Sequence, residues 1–284
     1  MNLKDLISRK KSPLVTVLRL DGAIGASSSR FRSSMLDIGS QAARIERAFK
    51  PKKLAAVALV VNSPGGSAVQ SSLIAGRIRA LADEKDVPVF SFVEDVAASG
   101  GYWLACAGDE IFANSASIVG SIGVISAGFG FPDLIARYGV ERRVHTAGEN
   151  KAILDPFLPE REEDVSLLED MQSQVHEQFK SYVRERRGAR IANAPDDLFS
   201  GAFWTGARGA EFGLVDGIGD IRTVLREKYG NDVRMLAVAE RKSLLRSLLR
   251  RGGRSALGPS GLDDIADRAI TAVEERLIWA RFGL

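Results

Sequence analysis

The sequence predicts an α/β domain built on a mostly parallel sheet, and three observations carry that prediction. Leu54 to Val61 and Val87 to Val93 are nearly continuous apolar runs, as expected of strands buried on both faces. Between such runs lie segments with apolar residues at helical spacing. The two patterns alternate from Leu14 to Ala113, which is the order of a layered α/β domain.

Each element follows from its own residues. Leu14 to Leu20 reads as a strand that ends at Asp21-Gly22. Phe31 to Lys50 carries Leu36, Ile38, Ala42, Ile45 and Phe49 at helical spacing and stops before Pro51. The strand Leu54 to Val61 breaks at Asn62-Ser63-Pro64-Gly65-Gly66-Ser67. Val69 to Ala82 is then a helix with Leu73, Ile74, Ile78 and Leu81 on one side. The strand Val87 to Val93 breaks at Ala97-Ala98-Ser99-Gly100-Gly101, and Tyr102 to Ala107 continues as a helix of small residues. Glu110 to Ala113 is a short strand.

The pattern loosens after that. Ile118 to Ile125 is apolar and punctuated by glycine, and Glu141 to Thr146 reads as a strand before the polar turn Ala147 to Lys151. Pro159 to Arg187 is a long charged helix with a stripe of Val165, Leu168, Met171, Val175, Phe179 and Val183. A Gly-rich stretch from Phe203 to Asp220 leads to a helix at Ile221 to Tyr229 and a last strand at Asp232 to Ala239. From Glu240 the composition shifts to alternating arginine and leucine up to Arg254, then a Gly/Pro linker, then an amphipathic helix from Leu262 to Phe282. These shifts divide the chain into a basic arm (1–13), a main domain (14–239) and a basic, helical extension (240–284).

Composition narrows the chemistry. With 284 residues, 45% hydrophobic and 26% charged, the chain can bury a sizeable core and is not a disordered polymer. Its 39 Lys+Arg against 36 Asp+Glu leave a net charge of +3, too small an excess to imply a nucleic-acid partner. The one cysteine, Cys106, excludes an intrachain disulfide and a cysteine metal cluster. The two histidines, His145 and His176, lack the HExxH spacing of a zinc hydrolase, so no metal or other cofactor is expected. No apolar stretch of about 18 residues is present, so no membrane-crossing helix or secretory leader is expected. The placement that follows is cytoplasmic, with peripheral contact at an inner membrane through the basic Arg241 to Arg254 stretch. A solvated helix packing its leucines on a neighbour explains that stretch equally well. The most unusual count is 28 glycines, many of them between residues 65 and 150.

Two of those glycine clusters follow buried strands. In α/β sheets, ligands bind in the crevice beyond the C-terminal strand ends. A serine there, opening a helix, exposes its hydroxyl beside unpaired backbone N–H groups, and glycine lets the backbone approach a reacting carbonyl. Ser99 with its flanking turns therefore resembles a nucleophile beside an oxyanion hole. Among bases, Lys151 in its polar turn is a better candidate than either histidine, since a lysine left neutral by burial can accept a proton.

Several ordered motifs then point one way. The strand followed by NSPGG, the AASGGYWLA segment, GSIGV at Gly120 to Val124, and Lys151 placed 52 residues after Ser99 together resemble the signal peptide peptidase A family, of the short single-domain kind. The resemblance spans Leu14 to Arg226. It implies a ClpP/crotonase-like spiral of ββα units, Ser99 as nucleophile and Lys151 as general base. It also implies an oxyanion hole from the N–H groups of Gly100 and of Gly65 or Gly66, and Ser121 as the serine that hydrogen-bonds the lysine amine. Short members form rings in which serine and lysine meet across a subunit boundary. Their substrates are leftover signal peptides and other unstructured or membrane-released segments. Members usually carry an N-terminal transmembrane helix, which no stretch of this sequence matches.

Plainer readings stand beside these. Ser99 could be a helix N-cap, Lys151 a solvated lysine, Ser121 a turn cap and NSPGG a tight turn. Asp21, Asp95 and Asp155 read as surface or capping residues, Cys106 as core packing, and His145 and His176 as structural. Trp103, Phe129 and Phe131 read either as groove or as core. Two alternatives to a peptidase remain at this level: a crotonase-like acyl-CoA enzyme, and a non-catalytic membrane-associated assembly protein.

Overall fold

The computed structural model describes residues 12–25, 35–239, 276 and 279–283. Most of the basic arm, the Arg241 to Arg254 stretch, the start of the Phe31 to Lys50 helix and most of the last helix lie outside the described residues.

Eight strands form one sheet: β1 (Leu14–Asp21), β2 (Leu54–Ser63), β3 (Val89–Ala98), β4 (Glu110–Ala113), β5 (Ile118–Gly120), β6 (Phe203–Thr205), β7 (Gly217–Ile218) and β8 (Arg234–Ala237). Along its main path the order is β6-β5-β3-β2-β1-β8, and every pairing is parallel except β5 with β6. Strand β3 forks. Its first part, Phe90 to Val93, pairs with β4, and its last part, Val96 to Ala98, pairs with β5. Glu94 and Asp95 lie at the fork and are exposed. The helices are α1 (Ile38–Ala48), α2 (Ala68–Lys85), α3 (Gly100–Ala105), α4 (Pro132–Arg137), α5 (Glu162–Arg187), α6 (Gly206–Glu211) and α7 (Ile221–Tyr229).

The unbroken apolar runs have the meaning the sequence suggested. In β2, Val57, Leu59 and Val61 join the main core with Ile45 of α1, Ile74 and Ile78 of α2 and Leu104 of α3. The alternate residues Ala56 and Ala58 join a second cluster with Phe90, Phe92 and, from α7, Val224 and Leu225. Successive side chains of a strand point to opposite faces, so a strand covered on both sides needs apolar residues at every position.

Helix α5 is different. Its C-terminal half buries Phe179 and Val183, while Met171, earlier in the same stripe, and Leu167, outside it, are exposed. Residues 124–160 are also poorly covered, with Ile125, Phe129, Tyr138 and Val140 exposed. The strand expected at Glu141 to Thr146 is absent. Its arginines bond carboxylates, Arg142 to Asp155 and Arg143 to Glu141.

The end of α5 is fixed by a buried charge. Arg187 is 1% exposed and donates through Nε to the Gly213 carbonyl (2.9 Å) and through Nη1 to Asp216 (2.7 Å). Asp216 also accepts from the Ile111 N–H (2.7 Å) and pairs with Arg190 (2.6 Å). Tyr102 of α3 donates to the neighbouring Leu214 carbonyl (2.7 Å). One carboxylate thus ties α5 and β4 to the segment before β7. Removing it leaves a guanidinium buried without its counter-charge, which costs about 3–5 kcal/mol. Asp216→Ala is expected to lose stability of that order in urea denaturation, and an unchanged midpoint would show that the pair does not hold these elements.

Candidate active site

The site begins with two chain reversals that touch. Strands β2 and β3 run parallel with Ser63 opposite Ala97, so the turn Pro64-Gly65-Gly66 and the turn at Ser99-Gly100 emerge side by side. Gly65 and Gly66 have φ of 100° and 138°, conformations that side chains disfavour. A Cβ on Gly65 would lie 2.8 Å from the Ser99 Cβ and 2.9 Å from the Gly100 nitrogen. A Cβ on Gly66 would lie 2.0 Å from the Ile24 carbonyl oxygen. Only glycine permits this approach.

Ser99 itself is strained, with φ 52° and ψ −122°. Such a residue persists only where its surroundings over-determine it. Its N–H donates to the Gly120 carbonyl (2.8 Å) and its carbonyl accepts from the Trp103 N–H (3.1 Å), the first turn of α3. Every residue of α3 is buried, and Trp103 stacks on Phe179 (4.7 Å between ring centres) and Tyr182 (5.3 Å) of α5. Ser99 occupies the N-cap position of α3, yet its hydroxyl makes no capping bond.

Two N–H groups at this point lack acceptors among the described residues. The Gly65 N–H is engaged by the Ser63 hydroxyl (3.3 Å), whereas the Gly66 and Gly100 N–H groups have no such partner. Gly100 opens α3, where intrahelical acceptors are missing by geometry. The Gly66 nitrogen lies 3.4 Å from where a Cβ on Gly100 would stand, so the two donors are close together.

Ser121 joins them from the end of β5. It is buried, also at positive φ (53°), and its N–H donates to the Ala202 carbonyl (2.7 Å). Ser99, Ser121, Gly66, Gly100 and Trp103 all line one cavity of about 420 Å³. Its apolar walls are Val124 and Ile125 on one side and Val175 and Phe179 of α5 on another. Arg281 and Phe282 complete it, with Phe282 edge-on to Phe203 (5.2 Å) and packed with Val96 and Ala98.

Lys151 is not in this group. It is exposed, does not line the cavity, and has no side-chain partner among the described residues; its N–H donates to the Gly148 carbonyl (3.2 Å). Of the aromatics read as groove or core, Trp103 lines the Ser99 cavity, while Phe129 is 80% exposed and lines a separate one with Asp155. Phe131 packs with Phe129 (6.3 Å) and Phe157 (5.7 Å). Asp21 pairs with Arg19, and Asp95 accepts from Asn62 (3.2 Å). Asp155 is held below its usual carboxylate range by the Phe157 N–H and then by Arg142. His145 is exposed. His176, Arg281 and Phe282 were not read as site residues from sequence. His176 follows Val175 of the α5 stripe, and its Nε2 lies 3.0 Å from the Ile122 carbonyl oxygen beside Ser121. Cys106 is fully buried at the end of α3, and burial pushes its thiol up to about 12. Among the described residues, no three His, Cys, Asp or Glu side chains gather as metal ligands do, and no helix is long and apolar enough to cross a membrane.

The family model described as Peptidase family S49 matches residues 81–232, a stretch that holds Ser99, Ser121 and Lys151. A Brucella abortus protein named Na(+)/H(+) antiporter NhaA is 48% identical over 288 residues, covering 99% of this chain. The chain spans only 39% of the length of that relative, and the S49 match falls within the shared stretch. A candidate signal peptide peptidase SppA of Enterococcus faecium is 31% identical over 176 residues, covering 62% of this chain and 51% of that protein. Among solved structures, the membrane-bound stomatin-specific protease 1510-N, in complex with a substrate peptide, shares the fold. Its TM-score is 0.53 at 15% identity, covering 85% of this chain and 98% of the other.

The thiolate is the reactive form of cysteine. At pH 8 iodoacetamide is therefore expected to leave Cys106 unmodified in the native protein and to modify it in denaturant. Modification of the native protein, read by mass spectrometry, would show that the end of α3 opens.

Proposed function

The chain belongs to peptidase family S49, and on that footing we propose that it is a serine endopeptidase using a Ser99–Lys151 pair. The observation that carries this reading is the strained Ser99, whose hydroxyl caps nothing, beside two N–H groups that lack acceptors, those of Gly66 and Gly100. The Ser99 hydroxyl attacks the scissile carbonyl carbon. Lysine takes the hydroxyl proton and later returns it to the leaving amine. The Gly66 and Gly100 N–H groups hold the tetrahedral oxyanion, and a well-placed donor of this kind contributes about 3 kcal/mol. Ser121 orients the lysine amine from the same cavity. Gly66 is favoured over Gly65 as donor because the Gly65 N–H is already engaged.

The lysine comes from a second copy of the chain. Lys151 does not line the Ser99 cavity of its own chain and lies within residues 124–160, where Ile125, Phe129, Tyr138 and Val140 are uncovered. A homo-oligomeric ring would cover such apolar surface and complete each site from a neighbour. Substrates are peptides or unfolded segments, signal-peptide remnants among them, since the cavity is walled by Trp103, Val124, Ile125 and Phe179. A cytoplasmic placement with peripheral membrane contact through the basic stretch is part of the same reading.

Ser99→Ala and Lys151→Ala are each expected to lower kcat/KM on a fluorogenic peptide by about a thousandfold or more. Co-expression of the two variants should restore part of the activity, because some sites then combine an intact serine with an intact lysine. Full activity in either single variant would overturn the pair, and no recovery on co-expression would overturn the shared site.

An ammonium group cannot accept a proton, so activity is expected to rise toward alkaline pH as more of the lysine becomes neutral. A histidine base would level off above about pH 7. A pH–rate profile that falls steadily from neutral toward alkaline pH would overturn lysine as the base.

A further inference from the structure

We infer that His176 is a positioning residue for this site, holding Ser121 in place through its hydrogen bond to the Ile122 carbonyl. The inference rests on the reading of Ser99 as nucleophile and Ser121 as the partner of the lysine amine.

The Ile122 carbonyl can only accept, so His176 Nε2 must carry the hydrogen across the 3.0 Å contact. The run from Gly120 to Gly123 is unusual backbone. Gly120 and Ser121 are consecutive residues at positive φ, 107° and 53°. A serine stays in that conformation only where several contacts enforce it. The Gly120 carbonyl accepts from the Ser99 N–H (2.8 Å), and the Ser121 N–H donates to the Ala202 carbonyl (2.7 Å). The Ile122 carbonyl, one peptide further on, is held by His176. Among the described residues this is the one side-chain hydrogen bond made to the run.

The position of His176 in α5 gives the bond its reach. Val175 and Phe179 of the same helix wall the Ser99 cavity, and Phe179 and Tyr182 stack on Trp103, four residues into the turn that begins at Ser99. Helix α5 therefore grips the nucleophile's helix through an aromatic stack and the Ser121 run through an imidazole. It braces the two serines against each other. Without the bond, the Ser121 run is free to relax from its strained conformation, and Ser121 no longer meets the amine in the geometry proton transfer requires.

His176→Leu removes the donor at similar bulk, and His176→Gln keeps an N–H at comparable reach. Three readouts apply to both: the rate of Ser99 labelling by a small fluorophosphonate, kcat and KM on a peptide, and the thermal midpoint. Misplacement of about 1 Å in a catalytic group costs up to a hundredfold, so His176→Leu is expected to label and turn over about tenfold to a hundredfold more slowly. KM should change little, and His176→Gln should stay close to wild type. Normal labelling and turnover in His176→Leu would overturn the inference, as would a His176→Gln variant that fails as badly. A rise in KM with unchanged labelling would also overturn it, since His176 would then shape the cavity wall and not Ser121. A wild-type protein that neither labels nor cleaves overturns the peptidase reading, and the positioning role falls with it. A wild type that labels beside an unchanged His176→Leu overturns the inference alone.

Discussion

The closeness of two backbone turns is the constraint on which the rest of the site depends. Gly65 and Gly66 sit against Ser99 and Gly100 at distances that leave no room for a Cβ. Parallel pairing of β2 with β3 sets the register that brings them together, and the double-sided core fixes that pairing. A serine that would otherwise relax is pinned on both sides, by the Gly120 carbonyl and by the first turn of α3. The strain is local, but what sustains it is the packing of the sheet and of a wholly buried helix.

The fork in β3 explains how Ser121 reaches the same place. By releasing β4 after Val93 and accepting β5 from Val96, the strand serves two neighbours on one side. The chain then passes beside Ser99, and the short antiparallel β6 secures it. This half of the molecule is well packed. The other part, from residue 124 to the middle of α5, leaves many of its apolar side chains uncovered, and Lys151 belongs to it. If Lys151 serves Ser99 as proposed, the packed part and the uncovered part meet when another copy covers the exposed apolar side chains.

Much of this was legible in the sequence, for physical reasons that also mark the limits. Strands β2 and β3 were visible because burial on both faces removes polar alternation, and α7 was found at its observed ends, Ile221 and Tyr229. The clustering of Ser99, Gly66, Gly100 and Ser121 followed from ordered motifs at strand ends. The strand expected at Glu141 to Thr146 did not form, since strand propensity depends on what a segment packs against and its sequence does not show that. Which of Gly65 and Gly66 keeps a free N–H depends on the rotation of one peptide plane, and no residue type encodes it. The role of His176 needed the packing of α5, since a histidine beside a helix stripe carries no mark of what its ring will meet.

Arg281 and Phe282 reach the cavity from a stretch far along the chain from the turns that hold Ser99 and Ser121. Shape and strain are therefore encoded separately. The turns tolerate almost no variation, because each atom added at Gly65 or Gly66 meets backbone or Ser99. The wall at 281–282 is set by side-chain packing instead: Phe282 packs with Val96 and Ala98 and meets Phe203 edge-on. A change of side chain at 281–282 would therefore alter the outline of the cavity from a stretch that does not carry the backbone constraint of the turns.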